Sequence, residues 1–401
     1  RDADLAEGTE CLLLHCLPES PHSAAAAAEP PTEPTLAFRV EIEGTELPGL
    51  LHLVGMRAMQ PVQRSLAGSA PSDIVAWRVG DVVRMVQRSA SGAVSVTAQT
   101  EQLSMKVWAS SSSDALRTAL EMLDEVRGEL RALRGVDWGI TQVRGAESFR
   151  VGANLGSGGF GEVFSGSLCG DDRLAVKWPL AELRPNLQEM KAEARIGMSL
   201  AHQNTAGTMF SVQLADVINA PTGRDGATLG FVMGKACGDL RDFTKLPASA
   251  RLRLMLDVAR GLAFMHEQGV MHLDLKPENV FVYGNTESNL TAKIADFGLS
   301  TAFGARRGAG CGTVGFAAPE TTLDGHYTPA ADVFSFGMML HSVIFRSCKP
   351  FDEFQLPAAM RQSIVAEVQA KRLEETVQEQ MIEKCLSRAL FRHIAETIKL
   401  G

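Results

Sequence analysis

No run of apolar residues in this 401-residue sequence is long enough to cross a membrane as a helix. A spanning helix needs roughly 18 such residues in a row. The nearest candidate, FSFGMMLHSVIF from Phe334, is short and is broken by His341 and two serines. An excess of basic charge is missing too. The formal net charge is -8, which argues against nucleic acid or an anionic membrane surface as the partner. The seven cysteines never form a CxxC pair and show no regular spacing. They read as reduced thiols in a cytoplasmic or nuclear protein, with no zinc framework. No internal repeat is visible. The sequence opens on Arg1 rather than Met, so a targeting signal could precede it unseen.

What is present divides into three textures. Residues 1–34 carry an alanine run (24–28) and prolines at 21, 30, 31 and 34, the composition of a disordered lead-in. From Leu36 the pattern changes. LAFRVEIEG, parts of DIVAWRVGDVVRMVQR and GAVSVTAQTEQLSMKVW alternate apolar with polar residues and read as strands. SSSSDALRTALEMLDEVRGELRAL then places Leu and Met at helical spacing behind a Ser or Asp cap. A small α+β domain over 36–135 fits. It holds no motif with chemistry in it, which leaves room for a regulatory partner to act through it.

Chemistry starts at about Phe149. In VGANLGSGGFGEVFSGSL, Gly156, Gly158 and Gly161 form a GxGxxG array around Ser157, Gly159 and Phe160, followed by Val163. Taken alone, a glycine-rich turn between strands can be a plain hairpin. A dinucleotide site would open a helix at the third glycine, whereas GEVFSGSL continues as strand. A strand–loop–strand of this kind lets backbone N–H groups face a triphosphate without Cβ interference. Sixteen residues after Gly161, Lys177 ends the apolar stretch LAVKW. Such a lysine needs a carboxylate to hold it, and the helix NLQEMKAEARIGMSLAHQN offers Glu189 and Glu193.

MHLDLKPENVFV (271–282) packs His272, Asp274, Lys276 and Asn279 between two apolar runs, and DFG follows at 296–298. With GSGGFGEV, AVK, APE at 318–320 and DVFSFGMML from Asp332, the order of motifs resembles the eukaryotic protein kinases of the serine/threonine class, over residues 147–401. The resemblance implies a two-lobed kinase fold preceded by the small α+β domain. Its β-rich N-lobe would span about 147–233 and its helical C-lobe about 238–401.

The same resemblance assigns roles. Asp274 would orient the substrate hydroxyl as base, and Lys276 would neutralise the phosphoryl group in transfer from ATP. Asn279 and Asp296 would supply oxygen ligands to Mg2+. Lys177 would pair with Glu193, since Ile196, Leu200, His202 and Asn204 follow Glu193 in the register of the kinase helix, and Glu189 would face solvent. Val163, Ala175 and Phe281 would enclose the adenine. Met233 resembles the gatekeeper, the backbone at Lys235 and Ala236 would bond the base, and Asp239 would reach the ribose. His272 and Phe297 read as packing residues. Thr313, seven residues before Glu320, together with Lys276, resembles the serine/threonine rather than the tyrosine kinases. APE and Thr313 also speak against a small-molecule phosphotransferase.

Three departures stand out. Leu273 occupies the place where the family usually has Arg, the residue that pairs with a phosphate on the activation segment of switched kinases. No hydroxyl side chain occurs from Ala302 to Cys311, and the customary phosphosite is Ala309. Arg306 and Arg307 are then either solvent-facing or substrate-contacting. Gly197 sits where a bulky apolar residue usually meets the DFG Phe, which predicts a weakened helix and looser packing. The Arg that pairs with Glu320 in the family is Arg392, although strict alignment puts His393 there. The expected protein is a Mg·ATP-dependent kinase of Ser/Thr hydroxyls on protein substrates that works without phosphate on its activation segment. Regulation would then fall to residues 36–135, to a partner or to expression level. The alternative is a pseudokinase scaffold.

Overall fold

A computed structural model describes residues 33–44, 50–65, 74–99, 102–131, 136–144, 148–158, 161–181, 187–304, 311–313, 315–318, 321 and 327–345. They fall into two compact units. One runs through Arg195 and takes in Met209–Val232, and the other comprises Ile196–Thr208 and the residues from Met233 onward.

In the first unit the alternation seen from Leu36 becomes β1 (Leu36–Gly44). Leu36, Phe38 and Val40 are buried on one face, and successive residues of a strand point to opposite faces, which sends Arg39 and Glu41 to the other. A helix α1 (Leu50–Ser65) follows, then the strands β2 (Ile74–Val79), β3 (Val82–Ser89), β4 (Gly92–Gln99) and β5 (Gln102–Ala109). Phe38, Met105, Val96 and Met85 lie across from one another in register and so share a face. Helix α1 packs there: a Cβ built on Gly55 would lie 3.1 Å from the Met85 side chain and 3.3 Å from that of Leu103.

The helix α2 (Ser112–Arg131) buries Leu116, Ala119, Met122, Leu123, Val126 and Leu130, a stripe at i, i+3, i+4 spacing. Ser111 caps it, its hydroxyl accepting from the Asp114 N–H and donating to the Asp114 carboxylate at 2.7 Å. Next comes β6 (Val136–Arg144), a strand past the end of the stretch expected to form the small domain. It pairs antiparallel with β1 on one side.

The strands β7 (Arg150–Gly158), β8 (Gly161–Leu168) and β9 (Asp171–Pro179) form an antiparallel meander. Helix α3 (Leu187–Ser199), β10 (Phe210–Gln213) and β11 (Leu229–Gly234) follow. The sheet order is β2-β3-β4-β5-β1-β6-β10-β11-β9-β8-β7. The join is a parallel pairing of Ser211 with Gln142. The strands of 36–144 and those of the glycine-rich hairpin therefore share one sheet. Phe210 holds the join from both sides, meeting Phe38 edge-on at 6.4 Å and Phe149 at 6.5 Å between ring centroids.

The second unit is helical around a small β core. Its elements are β12 (Gly238–Asp239), α4 (Ala248–Glu267), β13 (Val270–Met271), β14 (Val280–Tyr283), β15 (Thr291–Ile294), β16 (Thr301–Ala302) and α5 (Pro329–Phe345). Leu254, Met255, Val258, Leu262 and Met265 on α4 pack with Val280, Val282 and Ile294 of the hairpin and with Met339, Leu340 and Val343 of α5. This is the α+β architecture that the resemblance implies, β-rich first and helical after. No described helix is long and apolar enough to cross a membrane.

Arg251 ties α4 to α5. It is buried, and its guanidinium donates to the carbonyls of Leu246 (3.1 Å) and Val343. Replacing it with Met leaves carbonyl groups without donors in an apolar setting, each costing about 1–3 kcal/mol. Arg251→Met is expected to lower the unfolding free energy by about 2–4 kcal/mol in urea titration. An unchanged midpoint would show that these bonds contribute nothing.

Candidate active site

The hairpin β7–β8 presents the glycine-rich turn. A Cβ built on Gly156 or Gly158 meets nothing within 4 Å, so neighbouring protein atoms do not require glycine there. Gly161 differs, because its Cβ would come within 2.5 Å of the Trp178 carbonyl. Gly159 and Phe160, at the tip, lie outside the described residues. Ser157 is exposed, Val163 half-buried and Ala175 buried.

On the neighbouring strand Lys177 points its ammonium at Glu193 of α3, Nζ to Oε1 at 3.0 Å, with the lysine side chain 10% exposed. Burial strengthens such a pair and also makes an unpaired partner costly. The Glu189 side chain lies outside the described residues.

In the second unit the catalytic loop leaves β13 and ends in a 3-10 turn at Pro277–Asn279. Asp274 is 5% exposed and receives three side-chain donors. Thr313 donates to Oδ1 at 2.7 Å, while Lys276 and Asn279 donate to Oδ2 at 2.8 Å and 3.0 Å. Lys276 also donates to the Thr313 hydroxyl at 2.7 Å, and Asn279 to the Asp274 carbonyl at 2.8 Å. A carboxylate has about four lone-pair positions. Thr313 occupies one of the two on Oδ1.

Behind this carboxylate the loop is fixed by a group that the sequence reading did not assign. His272 is fully buried, and its Nδ1 accepts from the Asp274 N–H at 3.2 Å. The proton therefore sits on Nε2, which donates to the Ala295 carbonyl at 2.9 Å. Asp332, fully buried in the first turn of α5, accepts the N–H groups of His272 and Leu273, both at 2.8 Å, and faces His266 Nε2 at 2.9 Å. Leu273 needs that support, because its φ of 65° lies in the left-handed region that a branched side chain avoids. The signal available in the sequence was an acid in the first turn of an otherwise apolar helix.

The Leu273 side chain is 4% exposed and packs with Met271, Ala318, Tyr327 and Ala331, beside Leu299 and Cys311. The expected apolar packing at the base of the activation segment is what the structure has. The segment also passes close to the Leu273 backbone: at Gly312 (φ 98°) a Cβ would stand 2.9 Å from the Leu273 carbonyl.

The expectation for Gly197 is corrected. A Cβ there would meet the Thr208 hydroxyl at 2.5 Å, and the Gly197 carbonyl accepts the Thr208 N–H at 3.0 Å. The glycine permits a close approach in which a larger residue has no room. Phe297 instead lies in the core cluster with Leu200, and Ile196 packs against that cluster. The edge-on contact of His272 with Phe297, at 5.9 Å, fits the packing role expected of both.

Among the other predicted positions, Met233 is buried, Ala236 and Phe281 are half-buried and Lys235 is exposed. The hinge stretch is tied to β14 through the pairs Gly238–Val282 and Asp239–Phe281. The Tyr283 hydroxyl donates to the Gly234 carbonyl at 3.0 Å, and burial, with Cys237 nearby, pushes the phenol up. Asp239 caps the following 3-10 turn and pairs with Arg241 at 2.7 Å, so its carboxylate already has a cationic partner. Asp296 has a φ of 62° and accepts the Gly298 N–H at 3.4 Å. Ala309, Arg306, Arg307, Glu320, Arg392 and His393 lie outside the described residues.

The donor set fits Mg2+. Asn279 spends its amide nitrogen on Asp274, which leaves the side-chain carbonyl as the ligating atom, and Asp296 offers a carboxylate. Hard oxygens completed by phosphate are what Mg2+ takes.

Comparison with known proteins agrees with this geometry. A family model described as the protein kinase domain matches residues 149–395, more than half of the chain. The chain belongs to the protein kinase family. It is 31% identical over 199 residues to a G-type lectin S-receptor-like serine/threonine-protein kinase of Arabidopsis thaliana, a match covering 47% of this chain and 23% of that one. It is 30% identical over 233 residues to cold-responsive protein kinase 1 of the same plant, covering 55% and 58%. A probable serine/threonine-protein kinase of Dictyostelium discoideum is 29% identical over 214 residues, covering 50% and 29%. The first of these relatives is thus about four times as long as the part it shares with this chain.

Placing an arginine at 273 puts a cation into the apolar cluster of Met271, Ala318 and Tyr327. Leu273→Arg is expected to cost about 3 kcal/mol or more, and Leu273→Met less than about 1.5 kcal/mol. Thermal unfolding of the two variants checks this. Equal midpoints for Leu273→Arg and wild type would refute the packing account.

Proposed function

We propose that the chain is a serine/threonine protein kinase that transfers the γ-phosphoryl group of Mg·ATP to protein hydroxyls, and that it does so without phosphate on its activation segment. The observation that carries the reading is the Asp274 carboxylate, held by Thr313, Lys276 and Asn279 with one lone pair of Oδ1 left for a substrate.

In the step, the substrate oxygen bonds to the γ-phosphorus as the bond from that phosphorus to the bridging oxygen breaks and ADP departs. The hydroxyl proton passes toward Asp274 Oδ1. Lys276, 2.8 Å from the same carboxylate, offsets charge on the phosphoryl group in flight. Lys177, oriented by Glu193, binds the ATP phosphates together with the backbone of Gly156, Ser157, Gly158, Gly159, Phe160 and Gly161. Asn279 and Asp296 would hold Mg2+, which would supply neutralisation of phosphate charge. Val163, Ala175, Met233, Lys235, Ala236 and Phe281 take the adenine, and Asp239 the ribose if Arg241 yields. The substrates are proteins bearing Ser or Thr, and the scattered cysteines suit the cytoplasm or nucleus. A catalytically silent scaffold is the competing reading. Three departures suggested it, Leu273, Gly197 and the uncertain place of Arg392, and neither of the first two removes a group that Asp274 uses.

Incubation with Mg·ATP and a mixed peptide library, read by mass spectrometry, tests the reaction. Transfer to Ser and Thr is expected. Asp274→Asn is expected to lose on the order of a hundredfold in rate, and Lys177→Met to abolish transfer while keeping the fold. A wild-type chain that transfers nothing would favour the scaffold.

The second half of the proposal is read with a broad phosphatase. Initial rates on one peptide are expected to stay the same once mass spectrometry shows all phosphate gone. A large drop, reversed by preincubation with ATP, would mean that Ser300, Thr301 or Thr313 carries an activating phosphate.

A further inference from the structure

The helix that carries Glu193 is gripped from a second side. Lys191, two residues earlier on α3, extends its ammonium to Glu41 of β1, Nζ to Oε2 at 3.2 Å, across 150 positions of sequence. At 100° per residue, side chains two apart on a helix diverge by about 200°. The Lys177–Glu193 and Lys191–Glu41 pairs therefore hold nearly opposite sides of α3. A single ion pair lets a helix roll about its axis, whereas two opposed pairs set the roll.

Glu41 is placed for this by its own strand. Phe38 and Val40 point toward α1 and α2, so Glu41 emerges on the other face of the sheet. The register of β1 against β6 shifts between Val40 and Ile42, and such irregularities re-aim side chains. The pair is half shielded, with the Lys191 side chain 18% and that of Glu41 35% exposed. Arg39 stands 3.8 Å from Glu41 and helps hold the carboxylate.

Helix α2 is tied to the same sheet as well. Arg127 of α2 is buried, and its guanidinium donates to the carbonyl of Met209, the residue before β10. Burial lowers its pKa to about 10, partly offset by Asp124, which leaves it charged at neutral pH. The Met209 N–H in turn donates to the Val232 carbonyl of β11 at 2.7 Å. Together with the Ser211–Gln142 pairing, this joins the strands of 36–144 to the sheet on which Lys177 stands.

We propose that Glu41 is a positioning residue of the kinase: through Lys191 it sets the roll of α3 and so keeps Glu193 on Lys177, which makes residues 36–144 a built-in activator. This rests on the kinase reading above.

A double-mutant cycle on the full chain tests it. Glu41→Gln and Lys191→Met are each expected to lower kcat about tenfold with little change in the KM for peptide, and the double variant to fall no further. Lys191→Arg should keep most of the rate. Effects that simply multiply in the double variant, or single variants with wild-type kcat, would overturn the positioning role. Hydrogen exchange gives a second measurement that needs no transfer. Glu41→Gln should speed exchange across residues 190–198 and leave 254–265 of α4 unchanged. Unaltered exchange in 190–198 refutes the role even if the chain proves to be no kinase. An inactive wild type whose α3 exchange still responds to Glu41 refutes the kinase reading alone.

Discussion

The catalytic loop keeps its shape because a carboxylate is buried behind it. Asp332 takes the N–H groups of two consecutive residues, His272 and Leu273, and meets His266 on the same side. Without it, two buried amides would lack partners at about 1–3 kcal/mol each, and the left-handed Leu273 would add about 1–3 kcal/mol of backbone strain. The loop alone could not hold that conformation. The charge is tolerable where it lies because it occupies the first turn of α5, where the unpaired N–H groups and the helix dipole favour an anion. Placing α5 therefore places the loop, and packing of Met339, Leu340 and Val343 against the α4 core places α5.

From that anchor the arrangement runs outward by alternating donors and acceptors. His272 takes the Asp274 N–H on one ring nitrogen and donates to Ala295 from the other, which links the loop to the residue just before Asp296. Asn279 closes the turn on the Asp274 carbonyl. Thr313 arrives from the activation segment and donates to Oδ1, the oxygen that Lys276 and Asn279 leave alone. A buried polar network is stabilising only when every member is satisfied. Here the Lys276 ammonium and the Asn279 amide both donate to Oδ2 of Asp274. Thr313 thus joins the chain that follows Cys311 to both Asp274 and Lys276.

Much of this site could be read in the sequence because its chemistry is local or is spaced by standard elements. Asp274, Lys276 and Asn279 sit within six positions. Lys177 lies near the end of a strand, and Glu193 is set by the register of its helix. Alternation along β1 and the stripe on α2 likewise made those elements legible. What could not be read depends on segments remote in sequence. Gly197 looked like a weakness until Thr208 was seen against it, and helix periodicity says nothing about what approaches a helix. Asp332 entered only as the first residue of the DVFSFGMML motif, because its partners lie about 60 positions upstream. The strand β6 escaped notice since its worth lies in joining β1 to β10. The Glu41–Lys191 pair joins an element without motifs to one defined by them.

The apolar residue beside the catalytic Asp then has a physical consequence. An arginine there would order the activation segment by charge, in proportion to the phosphate available and the salt present. Leu273 instead packs against Leu299, Cys311 and Ala318. Removing a leucine side chain from water contributes about 1.5–3 kcal/mol, comparable to the backbone strain at the same residue, and it does so whether or not a phosphate is present. The close passage of Gly312 over the Leu273 carbonyl, with Cys311 in the same cluster, brings the chain to Thr313 on that apolar footing. On the proposed reading, a segment held this way needs no charge-operated switch of its own. Control over transfer would then fall to a different part, and the Lys191–Glu41 pair on the helix that carries Glu193 is where the strands of 36–144 reach it.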